Sequence, residues 1–488
     1  MENKKTKIIS IVAIVALALT VVTATYAYFQ AQTGEGSQTD IKINANTVDT
    51  FTFATGSQIS FTLDQDSFAS GKGNITGSTF ASALLTANNK TNTATEHYYL
   101  YLNISDNTFT YSINESTPEI IMTVTDSSGN EVTNISTLNH VIVTGANGTQ
   151  VSGYDITNKS GLITLLSNRE ITTTSSKEEK WNIKVTFVNY DASQNANAGK
   201  SMNAKVMIQS TKIPETIADV CSNGENLATC ITTLAGKSPA SLAKIYHHDA
   251  NLTNGAGDNS YRFAGASDSV NNYICLGSDE ATCPDANLFR IIGVFGDKTK
   301  VIRAKSVGNK EWNTASSNTW SSSSLNTYLN EEYLTSLGTL AEKIATTTWK
   351  VGGGSSKYLY DVPKTAYQYE VGSSASSTTY GAKIGLMYVS DYYYSASPSA
   401  WTLFGYNYED ETKSYASTKG ENWLYGGAEE WTISRFSDNT TSAFHVPSGN
   451  VYINGVPNSF AVRPVFNLLS SMNYVSGSGS MSDPVRVN

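Results

Sequence analysis

Charge, histidine and cysteine are all scarce in this sequence, and each scarcity removes a class of function. Only 15% of the 488 residues are charged, against about 25% in an average globular chain. Ser, Thr, Asn, Gly and Tyr dominate instead, a composition that suits an extracellular wall environment better than the cytosol. The net charge is −9, and no basic cluster beyond the N-terminus offsets it. The electrostatic footprint of nucleic-acid binding is missing, so no nucleic acid is expected as a partner.

The five histidines stand apart at His97, His140, His247, His248 and His445. None is spaced with a second ligand along a helix face, and His247-His248-Asp249 reads as a polar loop rather than a metal site. Asp191, Asn195 and Asn197 alternate like a calcium loop but lack the later bidentate glutamate. The run Gly352-Gly353-Gly354-Ser355-Ser356-Lys357 departs from the order and spacing of a phosphate-binding loop and reads as a flexible turn. No metal and no cofactor is expected. No pair of carboxylates stands in a recognisable catalytic context, so no catalytic residue is assigned and the chain is read as a non-enzyme.

A long apolar run occurs only at the N-terminus. Lys4, Lys5 and Lys7 precede residues 8–22, which are apolar except for Ser10 and Thr20, and a small-residue exit follows at 23–29. This is the layout of a secretory signal. Thr25 and Ala27 occupy the minus-three and minus-one places for cleavage between Ala27 and Tyr28. An uncleaved run reaching Phe29 is just long enough to span a bilayer and would act as an N-terminal membrane anchor. Residues 482–488 lack an apolar tail followed by a basic cluster, so any anchor is expected at the N-terminus. Export to the cell surface or beyond is the resulting expectation.

The four cysteines agree with export. They allow three pairings, of which the sequence-local Cys221–Cys230 and Cys275–Cys283 are expected. Their spacings are too wide for the short Cys pairs of structural zinc sites, and an exported chain meets an oxidising compartment. Loops this short tie local turns rather than hold a domain together.

At this length two or three independent cores are expected. Residues 39–211 read as strands between polar turns, and proline is almost absent there. Tyr98, Leu100, Leu102 and Ile104 alternate with polar residues. So do Ile120, Met122 and Val124, which lead into the turn Asp126-Ser127-Ser128-Gly129-Asn130. Trp181, Ile183, Val185 and Phe187 repeat the pattern, as do Met202, Ala204, Val206 and Ile208 after a loop at 189–201. Period-two patterning with regular turns predicts an antiparallel sandwich.

Residues 212–260 change character, with weak helicity over 227–234 around the first cysteine pair and a break at 236–239, and read as a connector. Residues 261–488 predict a mixed α+β domain. Strands are expected at 288–295, 299–304 and 383–389, with a hairpin turn at Gly296-Asp297. Two short amphipathic helices are expected after a serine cap, carrying Leu325, Tyr328 and Leu329 and then Leu334, Leu337, Leu340 and Ile344. The fold class is therefore multidomain, an all-β sandwich followed by an α+β domain.

Two resemblances follow from these residues. The basic, apolar segment closing on Thr25-Tyr26-Ala27-Tyr28-Phe29 before a Thr-rich β-domain resembles the N-termini of the TasA and camelysin family of Gram-positive matrix proteins. The succession of R-I-I-G at 290–293, W-S-S-S-S-L at 320–325, Y-L-N at 328–330, I-G-L-M-Y at 384–388, W-T-I-S at 431–434 and A-V-R-P-V at 461–465 resembles a domain of unknown function. That domain recurs at the C-termini of Gram-positive surface proteins. The late tryptophan strand and the closing V-R-P-V are also similar to the core of the C-type-lectin-like and formylglycine-generating-enzyme superfamily. Its enzyme branch depends on late reactive cysteines, and none follows Cys283, so oxidase activity is not expected.

The functional hint that remains is aromatic. Trp401, Tyr406, Tyr408, Trp423, Tyr425 and Trp431 fall in a glycine- and serine-rich stretch, where flat rings with polar edges stack on sugar faces or line a peptide groove. Arg435 and His445 are the candidate polar rim. Each tryptophan taken alone reads more readily as core, and Arg463 reads as a structural arginine satisfying buried carbonyls. The leading expectation is a surface binding or adhesion protein whose sandwich stalk presents a C-terminal recognition domain to an unknown surface glycan or protein ligand. The alternative is a structural matrix or fibre subunit that self-associates by strand exchange between sandwiches.

Overall fold

Alternating apolar and polar residues put one face of a strand into a core, and two facing sheets close that core. The computed structural model describes residues 49–488 except 65, 66, 68–71, 89–91 and 136. The N-terminal basic and apolar segment, with Ala27 and Tyr28, lies outside the described residues. The chain divides into two units, one ending at Lys212 and the other spanning Ile213–Asn488.

In the first unit the strands are β1 (Thr50–Thr55), β2 (Ile59–Thr62), β3 (Ile75–Thr86), β4 (Ala94–Asn107), β5 (Ile120–Asp126), β6 (His140–Thr144), β7 (Gln150–Asp155), β8 (Gly161–Thr173), β9 (Ser176–Phe187) and β10 (Ser201–Gln209). They form one sheet ordered β1-β3-β9-β5-β7-β6 and another ordered β2-β10-β4-β8. All pairings are antiparallel. The predicted inward residues of β4, β5, β9 and β10 meet in a single core. The predicted turn after β5 is closed by Asp126, whose Oδ1 accepts the Ser128 and Asn130 amides at 2.8 and 2.9 Å.

Two polar ties brace this unit. The indole of Trp181 on β9 donates to the Tyr98 hydroxyl on β4 at 2.7 Å. That hydroxyl donates in turn to Glu179 at 2.7 Å, and Arg169 on β8 grips Glu179 through two nitrogens at 3.0 Å each. The tie therefore joins the two sheets. The second is the fully buried Glu119 at the start of β5. Its carboxylate accepts the Ser112 amide and hydroxyl, the Ile113 amide, and the side-chain amides of Gln194 and Asn197, all within 3.1 Å. Asn197 also bonds the Thr110 backbone in both directions. The 189–201 loop, with its calcium-like alternation, thus turns Gln194 and Asn197 onto a carboxylate, while Asn189 donates to the Lys72 carbonyl at 3.2 Å.

The second unit is built on the hairpin Leu288–Phe295 and Lys298–Arg303, which turns at Gly296 and Asp297 as predicted. Strand Val465–Asn467 pairs with Lys298–Arg303 on its far side. Strand Tyr273–Cys275 pairs antiparallel with Leu288–Phe295 and parallel with Val485–Val487. A separate five-stranded sheet contains Glu430–Arg435 and Ser442–Val446. The serine cap is Ser323, which accepts the Asn326 amide ahead of Ser324–Tyr328. The 383–389 segment differs from its prediction. Only Ile384–Gly385 is strand, and Val389 opens the helix Val389–Tyr394, whose first two amides are accepted by the buried Glu370.

Residues 213–260 belong to this unit rather than forming a connector ahead of it. Helix Leu227–Lys237 buries Leu227, Cys230, Ile231 and Leu234 in the main core of the unit. Its cap Asn226 reaches the Ser470 carbonyl at 2.6 Å, and strand Ile245–His247 pairs with Tyr261–Phe263. The helix is short and weakly patterned, so only its long-range partners show that it is core. Both expected disulfides, Cys221–Cys230 and Cys275–Cys283, are present.

Glu119→Ala removes the acceptor for five donors and leaves them buried without partners. It is expected to destabilise the first unit by about 3 kcal/mol or more, read as a downward shift of one calorimetric transition while the other holds.

Candidate functional site: an exposed tyrosine cluster

The aromatic stretch separates by ring type. Trp401, Trp423 and Trp431 are no more than 2% exposed, and each indole N–H is used inside the protein. Trp401 donates to the Ala396 carbonyl, Trp423 to Phe263 and Trp431 to Lys310, at 3.1, 2.8 and 3.0 Å. The Arg290 guanidinium lies over the Trp423 ring, 4.7 Å from its centre. Trp401 packs with His248 and Tyr394 in a small separate cluster. These rings are structural, because a buried indole with a satisfied donor has no face left for a ligand.

The proposed rim also turns inward. His445 is buried beside Trp431, stacked on Phe460 at 4.7 Å, and neither ring nitrogen makes a hydrogen bond among the described residues. Arg435 is half-buried, and its Nε donates to the Gly352 carbonyl at 2.9 Å. Tyr425 is half-buried against the main core. Trp431 and His445 face each other across paired strands. With Trp401, Trp423, Trp431 and His445 all buried, the expected set of rings and rim presents no common exposed face. The glycine run is buried too: Gly353 has φ +67°, and a Cβ there would collide with the Arg435 carbonyl. It is a close backbone crossing, not the flexible turn expected.

Arg463 does satisfy a buried carbonyl, that of Leu424 at 2.5 Å, and its Nε and Nη2 also grip Glu430 at 2.7–3.0 Å. The pair ties the closing segment to the Trp431 strand.

Phe404 is partly exposed at 38%, but the ring most open to solvent is a tyrosine. Tyr408 is 75% exposed, yet it is held in place. Its hydroxyl is 3.0 Å from that of Tyr452, and its ring meets Tyr406 edge to face at 4.3 Å. Tyr406 meets Tyr452 at 5.4 Å, and Tyr452 meets Tyr360 at 6.0 Å. Three elements deliver these rings: the end of helix Ser356–Leu359, the loop after Pro398–Thr402, and strand Tyr452–Gly455. The shared hydrogen bond with Tyr452 pushes the Tyr408 hydroxyl up to about 12. Burial, then the neighbouring phenols, raises Tyr360 further. Tyr360 and Tyr408 are therefore neutral donors and acceptors at physiological pH. Tyr406 and Tyr408 are legible in the sequence as part of the aromatic stretch. Tyr360 and Tyr452 are not, because only the tertiary fold brings them alongside.

No family model matches the chain, and no curated protein matches it.

Burial holds the His445 ring down at about 4, against 6.5 for a free imidazole. The unfolded chain gains a proton below pH 6.5, whereas the folded chain does not until about pH 4. The stabilisation is therefore complete above pH 6.5 and lost as pH falls towards 4. At pH 5 the loss is about 2 kcal/mol. Urea unfolding at pH 7 and pH 5 is expected to show this difference, reduced by about that amount in His445→Phe.

Proposed function

We propose that the chain is an exported cell-surface binding protein, in which the sandwich unit serves as a stalk and the second unit carries the recognition surface. The carrying observation is Tyr408, a largely exposed ring already immobilised by its neighbours. Pre-ordered tyrosines contribute contact area at small entropic cost and offer hydroxyls for polar ligands. A surface glycan matches that chemistry, since sugars present C–H faces to rings and hydroxyls to phenols. Two disulfides fit an oxidising, extracellular compartment. The C-type-lectin-like relationship and the Gram-positive origin belong to this proposal. So does the N-terminal segment as a cleaved signal or membrane anchor.

Probing a glycan and host-matrix array with the full exported chain tests this reading. Selective binding is expected, weakened at least tenfold by Tyr408→Ala and by Tyr452→Ala in variants that keep the native circular dichroism. Equal binding by folded Tyr408→Ala, or a silent array from folded protein, would refute the assignment.

One observation favours the matrix-subunit alternative. Strand β6 is an edge of its sheet among the described residues, and Ile142 on it is 66% exposed. An exposed apolar edge strand invites pairing with a second copy. If that edge assembles the chain, sedimentation at high concentration should show oligomers that Ile142→Lys dissociates. A monomer throughout would dismiss the alternative.

A further inference from the structure

The second unit buries a lysine directly against a carboxylate. Lys300, on strand Lys298–Arg303, places Nζ 2.5 Å from Oδ2 of Asp391 on helix Val389–Tyr394. The two side chains are 6% and 2% exposed. Rings surround the amine: Tyr388 at 4.7 Å, Phe295 at 5.2 Å and Trp349 at 5.8 Å. The carboxylate is also oriented, because the Tyr388 amide donates to the same Oδ2 at 2.9 Å.

Nearby charges make this pair separable from its surroundings. Arg262 lies 3.6 Å from the other Asp391 oxygen, but it has a counter-ion of its own in Asp258 at 2.7 Å. Arg262 and Asp258 therefore stay balanced if Lys300 and Asp391 lose their charges together. Loss of those two charges would also remove the cost of keeping ions out of water in a dry interior.

We propose that Lys300 and Asp391 join in an intramolecular amide bond. Within the pair a proton passes from the Nζ ammonium to the carboxylate, giving a neutral amine and a carboxylic acid. The amine attacks Cγ, the Nζ–Cγ bond forms and the Cγ–Oδ2 bond breaks. The departing oxygen takes two protons and leaves as water, so no oxidant or activating co-reactant is needed. Burial favours the neutral amine by lowering the Lys300 pKa, an effect that Asp391 opposes. Holding the two groups in contact supplies an effective concentration on the order of 10⁵ M or more. Glu370 sits against the first turn of the Asp391 helix, accepting the Val389 and Ser390 amides at 2.9 Å each. Burial raises its pKa, an effect that its hydrogen bonds from Ser434, Ser390 and Val389 oppose.

The proposal is independent of what the surface tyrosines bind. Its test is a peptide map of the full exported chain, reduced, alkylated and digested with trypsin. The expected product is peptide 299–303, uncut after Lys300, joined to peptide 384–413 and lighter by one water than their sum. In Lys300→Met the joined species should vanish. Recovery of peptide 384–413 unmodified, with cleavage after Lys300 in protein that was folded before digestion, would overturn the proposal. The wild-type map decides the matter even if the variant does not fold.

Discussion

A polar group removed from water has to find its partner inside the protein, and both units are organised around that requirement. In the first, Glu119 gathers two loops that the strand pattern alone leaves undirected. In the second, Arg463 and Glu430 connect the closing segment to the Trp431 strand, with Leu424 taking a further guanidinium donor. A missing partner in such a pair leaves an uncompensated buried charge, so these contacts specify which segments meet as well as contributing to stability.

The same requirement explains the abundance of tyrosine. Several buried phenols of the second unit each donate to a particular backbone oxygen: Tyr392 to Gly449, Tyr393 to Leu359, Tyr394 to Asn254 and Tyr415 to Tyr393. A tyrosine fills core volume as phenylalanine does and also satisfies a carbonyl in a region with little regular structure. An aromatic-rich sequence is thus compatible with a largely structural set of rings. Tyr408 differs because its hydroxyl partner is another surface tyrosine, which leaves its ring open to solvent.

Histidine follows the same logic in the opposite direction. His248 and His445 are held neutral by burial, and His248 Nδ1 accepts the Ala256 amide at 3.1 Å. Its neighbour His247 instead stacks on Tyr261 at 4.2 Å. The adjacent histidines therefore serve different environments: His247 closes strand Ile245–His247, and His248 lies just beyond it.

Period-two alternation by itself determined the β-rich first unit, down to the buried residues of β4, β5, β9 and β10, because strand burial is decided locally by side-chain direction. The sequence-local cysteine pairs, the 296–297 hairpin turn and the Ser323 cap were legible for the same reason, each being a contact between near neighbours. Only the tertiary structure decided the rest. It packed helix Leu227–Lys237 into the core and tied its cap to a partner as distant as Ser470, and it buried Trp401, Trp423, Trp431 and His445 while leaving Tyr408 exposed. It also set Lys300 against Asp391. Those outcomes depend on segments far apart in the chain, and a ring or a charge carries no local mark of the side on which its partner will arrive.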